Sequence, residues 1–394
     1  MAALFYVWIV VQLLVGFNLF FPLLLYFIYL VKSKKESAVM KTPEVEADYA
    51  IIVTAYEQIN TLPAVADSLL RINYHNYLIY IVADKCDVSN LQFNNEHIIL
   101  LRPEQTLASN TRSHFYAIQH FKRPHERLTI IDSDNLVDGE YINQLNVYFD
   151  KGYEAVQGLR KAKNLNTTYA CLDAARDIYY HFYDGKILFA SGASATLSGS
   201  GMAFTTRLYR ECLESRDITG AGFDKVLQYE IVKRGLRIAY TEKAIVYDEK
   251  TAYTEQLVKQ RARWINTWFR YSKFGFGLIA KGIVRFNRNK FLFGLVLLRP
   301  PLFIFLLLSL IFMLIDWRTE SVTASIFWLV GIFLFVMGFL FALFHSKTDR
   351  RIYFSLFHIP KFVFFQVMSL LKTGRANQYS VATKHYHNKK KEDV

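Results

Sequence analysis

The stretch from Ala3 through Val31 is apolar and carries no charged residue. It is longer than the ~20 residues that a helix needs to cross the hydrocarbon core of a bilayer. We therefore predict a tilted transmembrane helix over residues 1–32. No basic segment precedes it and no small-residue cleavage site follows it, which favours a retained helix over a signal peptide. Lysines at positions 32, 34 and 35 follow, and the positive-inside rule then places the N-terminus outside and the next segment in the cytoplasm.

Apolar segments return in the last third of the chain. Blocks 291–315 and 323–345, joined by a short connection from Asp316 to Val322, predict a transmembrane hairpin over residues 291–345. Arg299-Pro300-Pro301 interrupts the first block and indicates either a kink or a span that begins near Pro301. The basic residues that follow the second block predict that the hairpin ends in the cytoplasm.

Two further segments have the character of helices that lie in the membrane interface. Residues 352–372 are apolar, but Lys361 at their centre makes spanning costly, by about 2.5–3.5 kcal/mol on insertion scales. Residues 273–290 carry Lys281, Arg285 and Arg288 on one helical face. We predict that both segments are interfacial and that residues 373–394 form a basic cytoplasmic tail. These features point to an integral protein of a plasma or inner membrane.

Charge and cysteine content narrow the classes further. The net charge is +13, and many basic residues stand beside the apolar segments, so the surplus indicates membrane lipids or an anionic substrate and not nucleic acid. The three cysteines have no spacing typical of a disulfide framework or a zinc site. This pattern fits a reducing, cytoplasmic environment for the middle of the chain.

Residues 45–272 predict a soluble α/β domain. We expect strands at 50–54, 78–83, 98–101 and 128–131. Helical stretches, such as Pro63 to Arg71, separate these strands, which is typical of parallel βαβ units. Ligands bind at the carboxyl ends of the strands in such sheets. Asp84 and Asp132 both end strands and are therefore expected at that edge.

Asp132-Ser133-Asp134 follows a strand directly. Two carboxylates at a strand end are suited to a hard cation, Mg²⁺ or Mn²⁺, that also contacts a diphosphate. Such a cation offsets the negative charge that develops on a leaving nucleotide. A solvated turn is the alternative interpretation, and the tripeptide alone does not decide between them.

We predict a helix from Thr254 to Tyr271 that carries Gln260, Arg263 and Trp264 on one face. Arg263 is suited to bidentate binding of a diphosphate, and Trp264 offers a flat apolar face to a sugar ring. The same residues also fit an amphipathic helix at a membrane surface.

Asp224 opens the helical stretch that runs to Arg234. It is compatible with a helix N-cap and with a general base that deprotonates an acceptor hydroxyl. The segment from Ser198 to Gly201 consists of small residues, which suit close backbone approach to a ligand or a plain turn.

In their order these pieces resemble the family 2 glycosyltransferases, in particular the membrane-embedded branch of cellulose, chitin and hyaluronan synthases. The resemblance covers about residues 45–270. The matching segments are Thr54-Ala55-Tyr56-Glu57, Asp84, Asp132-Ser133-Asp134, Ser198-Gly199-Ser200-Gly201-Met202, Asp224, and the QxxRW pattern of Gln260, Arg263 and Trp264.

The resemblance implies a Rossmann-like domain of the glycosyltransferase A type and an inverting transfer from a nucleotide-sugar donor, for which it favours uridine. It implies that Asp224 is the catalytic base and that Asp134, with Asp132, holds Mg²⁺ or Mn²⁺. By the same resemblance, the donor-binding residues are Thr54, Tyr56, Glu57, Asp84, Asp132, Asp134 and Arg263. Gly201, Gln260 and Trp264 would contact the acceptor.

Three departures are visible: Tyr56 stands where the family usually has Asn, Phe223 stands where it usually has an acidic residue, and the lysine usual before the helix that follows the third strand is not evident near Ser109-Asn110. The tail from Tyr379 to His385 loosely resembles the gating segment of polymerising members. QxxRW favours a polysaccharide acceptor, whereas three predicted spans favour a lipid-linked acceptor or a homo-oligomer. A non-catalytic subunit of a synthase complex is the alternative function, and a nucleotidyltransferase is a third.

Overall fold

The computed structural model describes residues 2–32, 46–319 and 321–375. The lysines at positions 34 and 35, the segment from Tyr379 to His385 and most of the predicted tail lie outside these residues. The description below is of the described residues alone.

A mixed sheet forms the centre of the domain. Its strands are β1 (Tyr49–Tyr56), β2 (Tyr77–Asp84), β3 (Ile98–Leu101), β4 (Arg127–Asp132), β5 (Leu136–Val137), β6 (Ala155–Ala162), β7 (Met202–Thr205) and β8 (Ala239–Asp248). The spatial order is β3-β2-β1-β4-β7-β6-β8-β5. The first four strands are parallel, β7 is antiparallel to β4 and β6, and β8 is parallel to β6. The four predicted strands are confirmed as β1–β4.

Helices cover the sheet and lead into the membrane segments. They are α1 (Ala2–Lys32), α2 (Leu62–Leu70), α3 (Asn110–Gln119), α4 (Tyr141–Phe149), α5 (Thr168–Tyr180), α6 (Leu188–Ala190), α7 (Thr206–Leu213), α8 (Phe223–Lys233), α9 (Thr254–Tyr271), α10 (Phe274–Val284), α11 (Arg288–Leu298), α12 (Leu302–Arg318), α13 (Val322–His345), α14 (Arg350–Ser355) and α15 (Ile359–Leu371). A π-helix (His181–Ile187) joins α5 to α6, and 3₁₀ turns lie at Leu356–His358 and Thr373–Arg375. Helix α9 has the predicted bounds.

The central strands are buried on both faces, which explains their continuous apolar runs. In β1, Ile51 and Val53 belong to one hydrophobic cluster, whereas Ala50 and Ile52 belong to the cluster on the other side. Burying a valine or isoleucine side chain contributes roughly 1.5–3 kcal/mol relative to leaving it exposed. Helices therefore pack on both sides, and polar chemistry is restricted to the ends of the strands.

Among the described residues, three helical segments are long and apolar enough to span a membrane: Phe5–Val31, Val322–His345 and Arg350–Leu371, the last of which comprises α14, the 3₁₀ turn and α15. Helices α11 and α12 pass the same test only as a pair, and they meet at an angle of 72°. The bend lies at Arg299-Pro300-Pro301, as one of the two alternatives above expected. Arg299 is buried there in an ion pair with Asp184 of the π-helix.

Helices α1, α12 and α13 pack together. Gln12 of α1 donates to both carboxylate oxygens of Asp316, at 2.8 and 3.0 Å. The Trp328 indole N–H of α13 donates to the same carboxylate at 2.9 Å. Asp316 was predicted to begin the connection of the hairpin, and that prediction is wrong. The helix continues to Arg318, because the two partners satisfy the carboxylate inside the bundle.

The sequence pattern predicted one interfacial helix over residues 273–290, and the prediction of a single helix is wrong. These residues form α10 and the start of α11, a helical hairpin that turns at residues 285–287. Phe286 at the tip has φ of 49° and is 97% exposed. Gly275 and Gly294 allow the close crossing, since a Cβ on Gly275 would lie 2.7 Å from the Gly294 carbonyl oxygen.

Candidate active site

Three parallel strands bring predicted site residues to one edge of the sheet. Thr54 of β1 is in register with Asp132 of β4. Tyr56, two residues further along β1, is in register with Asp84 of β2. The carboxyl edge thus collects these four residues side by side, as expected for a parallel sheet.

The loops that leave β1 and β2 are joined at this edge. Glu57 and Lys85 both have left-handed backbones, with φ of 60° and 55°, which is uncommon outside glycine. The Glu57 N–H donates to the Asp84 carbonyl oxygen at 3.1 Å. The Lys85 ammonium lies 2.7 Å from Glu57 Oε1, and this hydrogen bond lowers the pKa of Glu57. Tyr56 and Glu57 therefore lie at the carboxyl end of β1, where the hydrogen bonds to the β2 loop hold the turn in place.

Asp84 is 2% exposed. Its two carboxylate oxygens accept hydrogen bonds from the backbone N–H groups of Leu107 and Ala108, at 2.9 and 2.7 Å. The carboxylate consequently fixes the loop before α3, in which Ala108 has φ of 47°. This structural role was not predicted, and contact of Asp84 with a nucleoside stays a prediction.

The Asp132-Ser133-Asp134 turn is ordered by the segment of small residues. Ser200 Oγ accepts from the Asp132 N–H at 3.0 Å and donates to Asn135 Oδ1 at 2.5 Å. The Asn135 amide donates to Asp134 Oδ1 at 3.3 Å. Asp132 is half-buried, and Asp134 is buried. The structure thus brings together two segments that lie almost 70 residues apart in the sequence.

Gly201 needs its lack of a side chain. Its φ is 65°, and a Cβ would lie 2.8 Å from Val246 Cγ2. Its N–H donates to the Ile130 carbonyl oxygen at 2.9 Å, one strand residue away from the turn. The glycine is explained by this close backbone approach, and a contact with an acceptor stays a prediction.

The donor set of the turn fits a hard divalent cation. Within the described ranges, no group of three or more His, Cys, Asp or Glu side chains is placed to hold a metal. The turn itself contains two candidate ligands, the carboxylates of Asp132 and Asp134. Mg²⁺ is typically held by one or two carboxylates together with substrate phosphates and water, so this set is complete only with a diphosphate.

Asp224 lies in the first turn of α8, next to the helix that carries QxxRW. The N-cap of α8 is Gly222, with φ of 111°, so the interpretation of Asp224 as the N-cap is wrong. A Cβ on Gly222 would lie 2.8 Å from Thr267 Cγ2 and 2.5 Å from Tyr271 Cε2 of α9. The Asp224 carboxylate is 3.1 Å from the Lys225 ammonium.

The QxxRW side chains are all engaged within the protein. Gln260 Oε1 accepts from Thr251 Oγ1 at 2.9 Å. The Trp264 ring centroid lies 4.1 Å from the guanidinium carbon of Arg261 and 4.3 Å from that of Arg176. Burial lowers the pKa of Arg263. Trp264 is therefore held by cation–π contacts, which the sequence analysis did not predict.

Residues 47–267, more than half of the chain, match the family model described as glycosyltransferase like family 2. The chain belongs to this family. The sequence has no match among curated proteins.

The chain is similar to solved glycosyltransferases. A mannosyltransferase from Pyrobaculum calidifontis, solved in complex with GDP-Man and Mn²⁺, has a TM-score of 0.57 and 15% identity, covering 92% of this chain and 97% of that one. S. aureus TarS 1–349, solved with UDP-GlcNAc, has a TM-score of 0.40 and 15% identity, covering 55% and 64%. The likeness to the first confirms the predicted Rossmann-like glycosyltransferase A fold.

A largely buried ionic network links the Asp132–Asp134 turn of this glycosyltransferase to helix α9, which carries QxxRW. Asp248 accepts from Asn135 at 3.1 Å and pairs with Arg160 and Lys250, each at 2.7 Å. Lys250 also lies 2.5 Å from Asp177. Burial opposes ionisation of both carboxylates. The cations prevail, so the pKa of Asp248 falls to about 2 and that of Asp177 falls well below its ordinary value.

The network continues from α5 to α9. Arg176 reaches both Asp177, at 2.5 Å, and Asp173, at 3.2 Å. Asp173 also pairs with Arg261, whose pKa is lowered to about 10 by burial and by the nearby Arg176. Sequence reasoning missed this network, and its one visible signal was the spacing of Asp173 and Asp177, which puts both on one face of a helix.

Proposed function

We propose that this family 2 glycosyltransferase is an inverting, metal-dependent enzyme that transfers a sugar from a nucleotide diphosphate sugar, preferably a UDP-sugar, to a polysaccharide or lipid-linked acceptor with formation of a β-linkage. One observation carries the proposal. The Asp132–Asp134 turn and the Ser200–Gly201 segment meet at the carboxyl edge of the sheet, and buried charges join that edge to the QxxRW helix.

At the donor end, Thr54, Tyr56, Glu57 and Asp84 surround the place where the nucleoside would lie. Asp134, with Asp132, would hold Mg²⁺ or Mn²⁺, which when bound offsets charge on the diphosphate. Arg263 would add bidentate contacts to the same phosphates. The support is the register of β1, β2 and β4, which puts the carboxylates at one edge.

At the acceptor end, Asp224 would accept the proton of the attacking hydroxyl. The oxygen then bonds to the anomeric carbon on the face opposite the diphosphate, whose bond to that carbon breaks, and the configuration inverts. Gln260, Trp264 and the backbone at Gly201 would line the acceptor. The close contact of α8 with α9 at Gly222 supports this arrangement, because it sets Asp224 beside the QxxRW helix.

In the membrane, we propose that the N-terminus lies outside and that the catalytic domain and C-terminus are cytoplasmic. Helices α10 and α11 would lie in the interface, with exposed Phe286 and Val284 in the lipid and the neighbouring Arg285 at the headgroups. Helix α15 would also be interfacial. It packs on the catalytic domain, where Phe365 meets Tyr169 edge to face at 5.7 Å.

The test is nucleotide release by the detergent-purified protein with a panel of UDP-sugars and GDP-mannose, with and without Mn²⁺ or Mg²⁺. Metal-dependent release with one donor is the expected result. Asp134→Asn should abolish it without unfolding, because the amide keeps the size of the buried carboxylate. Asp138→Asn, four residues on and half-buried, is the matched control and should retain activity.

Two outcomes would contradict the proposal. Activity in Asp134→Asn equal to that of the wild type would remove the metal role of that residue. No release with any donor, even with lipid extract supplied, would favour the non-catalytic subunit.

A further inference from the structure

Helix α5 carries two carboxylates one turn apart, the buried Asp173 and the half-buried Asp177, that pair with different parts of the network. Asp177 lies 2.5 Å from Lys250. Lys250 pairs with Asp248, which accepts from Asn135 beside the Asp132–Asp134 turn. Asp173 pairs with Arg261, on the branch that reaches Trp264. One helix face therefore contacts both halves of the proposed transfer site.

The opposite face of α5 packs against the end of the membrane bundle. Cys171, Ala174 and Ala175 share a buried cluster with Leu343 of α13 and Ile352 of α14. Helix α5 thus lies between the apolar helices α13 and α14 on one side and Lys250 and Arg261 on the other. A displacement of α5 would move the partners of both carboxylates. Asp173 pairs with Arg176 and Arg261, and Asp177 pairs with Arg176 and Lys250.

Stability alone does not account for these charges. Desolvation makes a buried ion pair weak evidence for stabilisation, and replacing one by packed apolar groups is often neutral. Some donors of the network also have no partner among the described residues: Arg261 Nε and Nη1, Arg176 Nε and Arg160 Nε are all buried. An arrangement that leaves such donors unpaired is costly, and it is better explained by placement of the site than by stabilisation of the core.

We propose that Asp177 and Asp173 are positioning residues for the two halves of the transfer reaction, an inference that rests on the proposed function. Asp177 fixes Lys250 and Asp248, and Asp248 in turn orients the Asn135 amide that hydrogen-bonds Asp134. Asp173 pairs with both guanidinium groups that pack on Trp264, those of Arg261 and Arg176, whereas Asp177 pairs with that of Arg176 alone. Asp177 therefore mainly affects the affinity for metal and donor, and Asp173 mainly affects the rate of the transfer step.

The first arm of the test measures binding without turnover. Free Mn²⁺ is titrated by its EPR signal in the presence of UDP, or of GDP if the wild type uses GDP-mannose. Asp177→Asn should weaken Mn²⁺–nucleotide binding by about 10- to 100-fold, the usual cost of losing a group that orients a metal ligand. Asp173→Asn should weaken it less than Asp177→Asn does, because Asp173 is connected to the Asp132–Asp134 turn only through Arg176 and Asp177.

The second arm measures steady-state transfer or nucleotide release. Asp173→Asn should lower kcat with the KM for the donor unchanged, and Asp173→Glu should restore part of kcat. Asp177→Asn should raise both the KM for the donor and the half-saturating Mn²⁺ concentration. Glu230→Gln is the control, since Glu230 is a buried carboxylate held by Arg216 and Arg234, and it should change neither readout.

If Asp177→Asn does not fold, the double variant Asp177→Asn with Lys250→Met replaces it in both measurements. This variant removes both members of the Asp177–Lys250 ion pair and leaves neither of these two charges unpaired. Equal effects of Asp173→Asn and Asp177→Asn on both arms, or effects no larger than those of Glu230→Gln, would overturn the inference. Failure of the proposed function looks different, because the wild type would then release no nucleotide. The Mn²⁺–nucleotide titration would still test Asp177 in that case.

Discussion

The contact between α8 and α9 can be tested with a pair of glycines at the two ends of α8. Gly222 and Gly235 both have left-handed backbones, with φ of 111° and 89°. A Cβ on Gly222 would lie 2.5 Å from Tyr271, whereas a Cβ on Gly235 has nothing within 4 Å. Alanine at either position costs roughly 1–2 kcal/mol in backbone strain. Only Gly222→Ala adds the cost of overpacking, about 1–3 kcal/mol.

The expected result is a clear difference between the two variants. One kcal/mol shifts the unfolding midpoint of a domain of this size by roughly 2–4 °C. Gly222→Ala should therefore melt about 2–12 °C below Gly235→Ala in the same detergent and at the same scan rate. Its nucleotide release should also fall by about 10- to 100-fold, because a displacement of about 1 Å at a reacting group has that effect. Gly235→Ala should release nucleotide at the wild-type rate.

Each half of this expectation has its own refutation. Equal midpoints for the two variants would mean that α8 and α9 do not approach each other as closely as the structure has them. A lower midpoint with unchanged release from Gly222→Ala would mean that the first turn of α8, and Asp224 with it, does not take part in the reaction.

Three further expectations concern the same chain. Trp264→Ala should reduce acceptor use more than donor binding, with Trp268→Ala on the next turn as control; equal loss of both would contradict an acceptor role. Phe286→Trp should add tryptophan fluorescence that brominated lipids quench, and an unquenched signal would mean that the α10–α11 tip is not in the bilayer. Burial lowers the pKa of His114 from 6.5 to about 3, so the unfolded chain binds more protons between these values and stability should fall as pH drops through this window. His114→Gln should remove that dependence of the unfolding midpoint, and an unchanged slope would assign it to other groups.

The sequence was most informative where the chain is buried on both sides. Strands β1 to β4 are apolar runs with polar residues at their ends, a pattern that leaves few alternatives. Strands β5 to β8 were not predicted. Among them, β5 has only two residues, and β6 pairs with β8 through an irregular register between Gln157 and Leu159.

The site was predictable as a set of motifs and not as a set of contacts. Asp134 and Asp132 stand out as a tripeptide, whereas Asp248 lies more than 100 residues away from its partner Asn135. Charges that pair only in the folded state leave no local pattern. The turn at Phe286 was missed for a related reason: no glycine or proline marks it, and the chain adopts a left-handed backbone at a phenylalanine.

The bend at Arg299 has a consequence for the lipid around this protein. In the predicted transmembrane hairpin, the 72° bend between α11 and α12 would leave only the 17 residues of α12 for the first span. At 1.5 Å per residue they extend about 26 Å, less than the ~30 Å of a typical hydrocarbon core. Helix α13 beside it has 24 residues. The membrane next to α12 would therefore have to thin locally, and the energy of this hydrophobic mismatch favours placing the protein in thin bilayers.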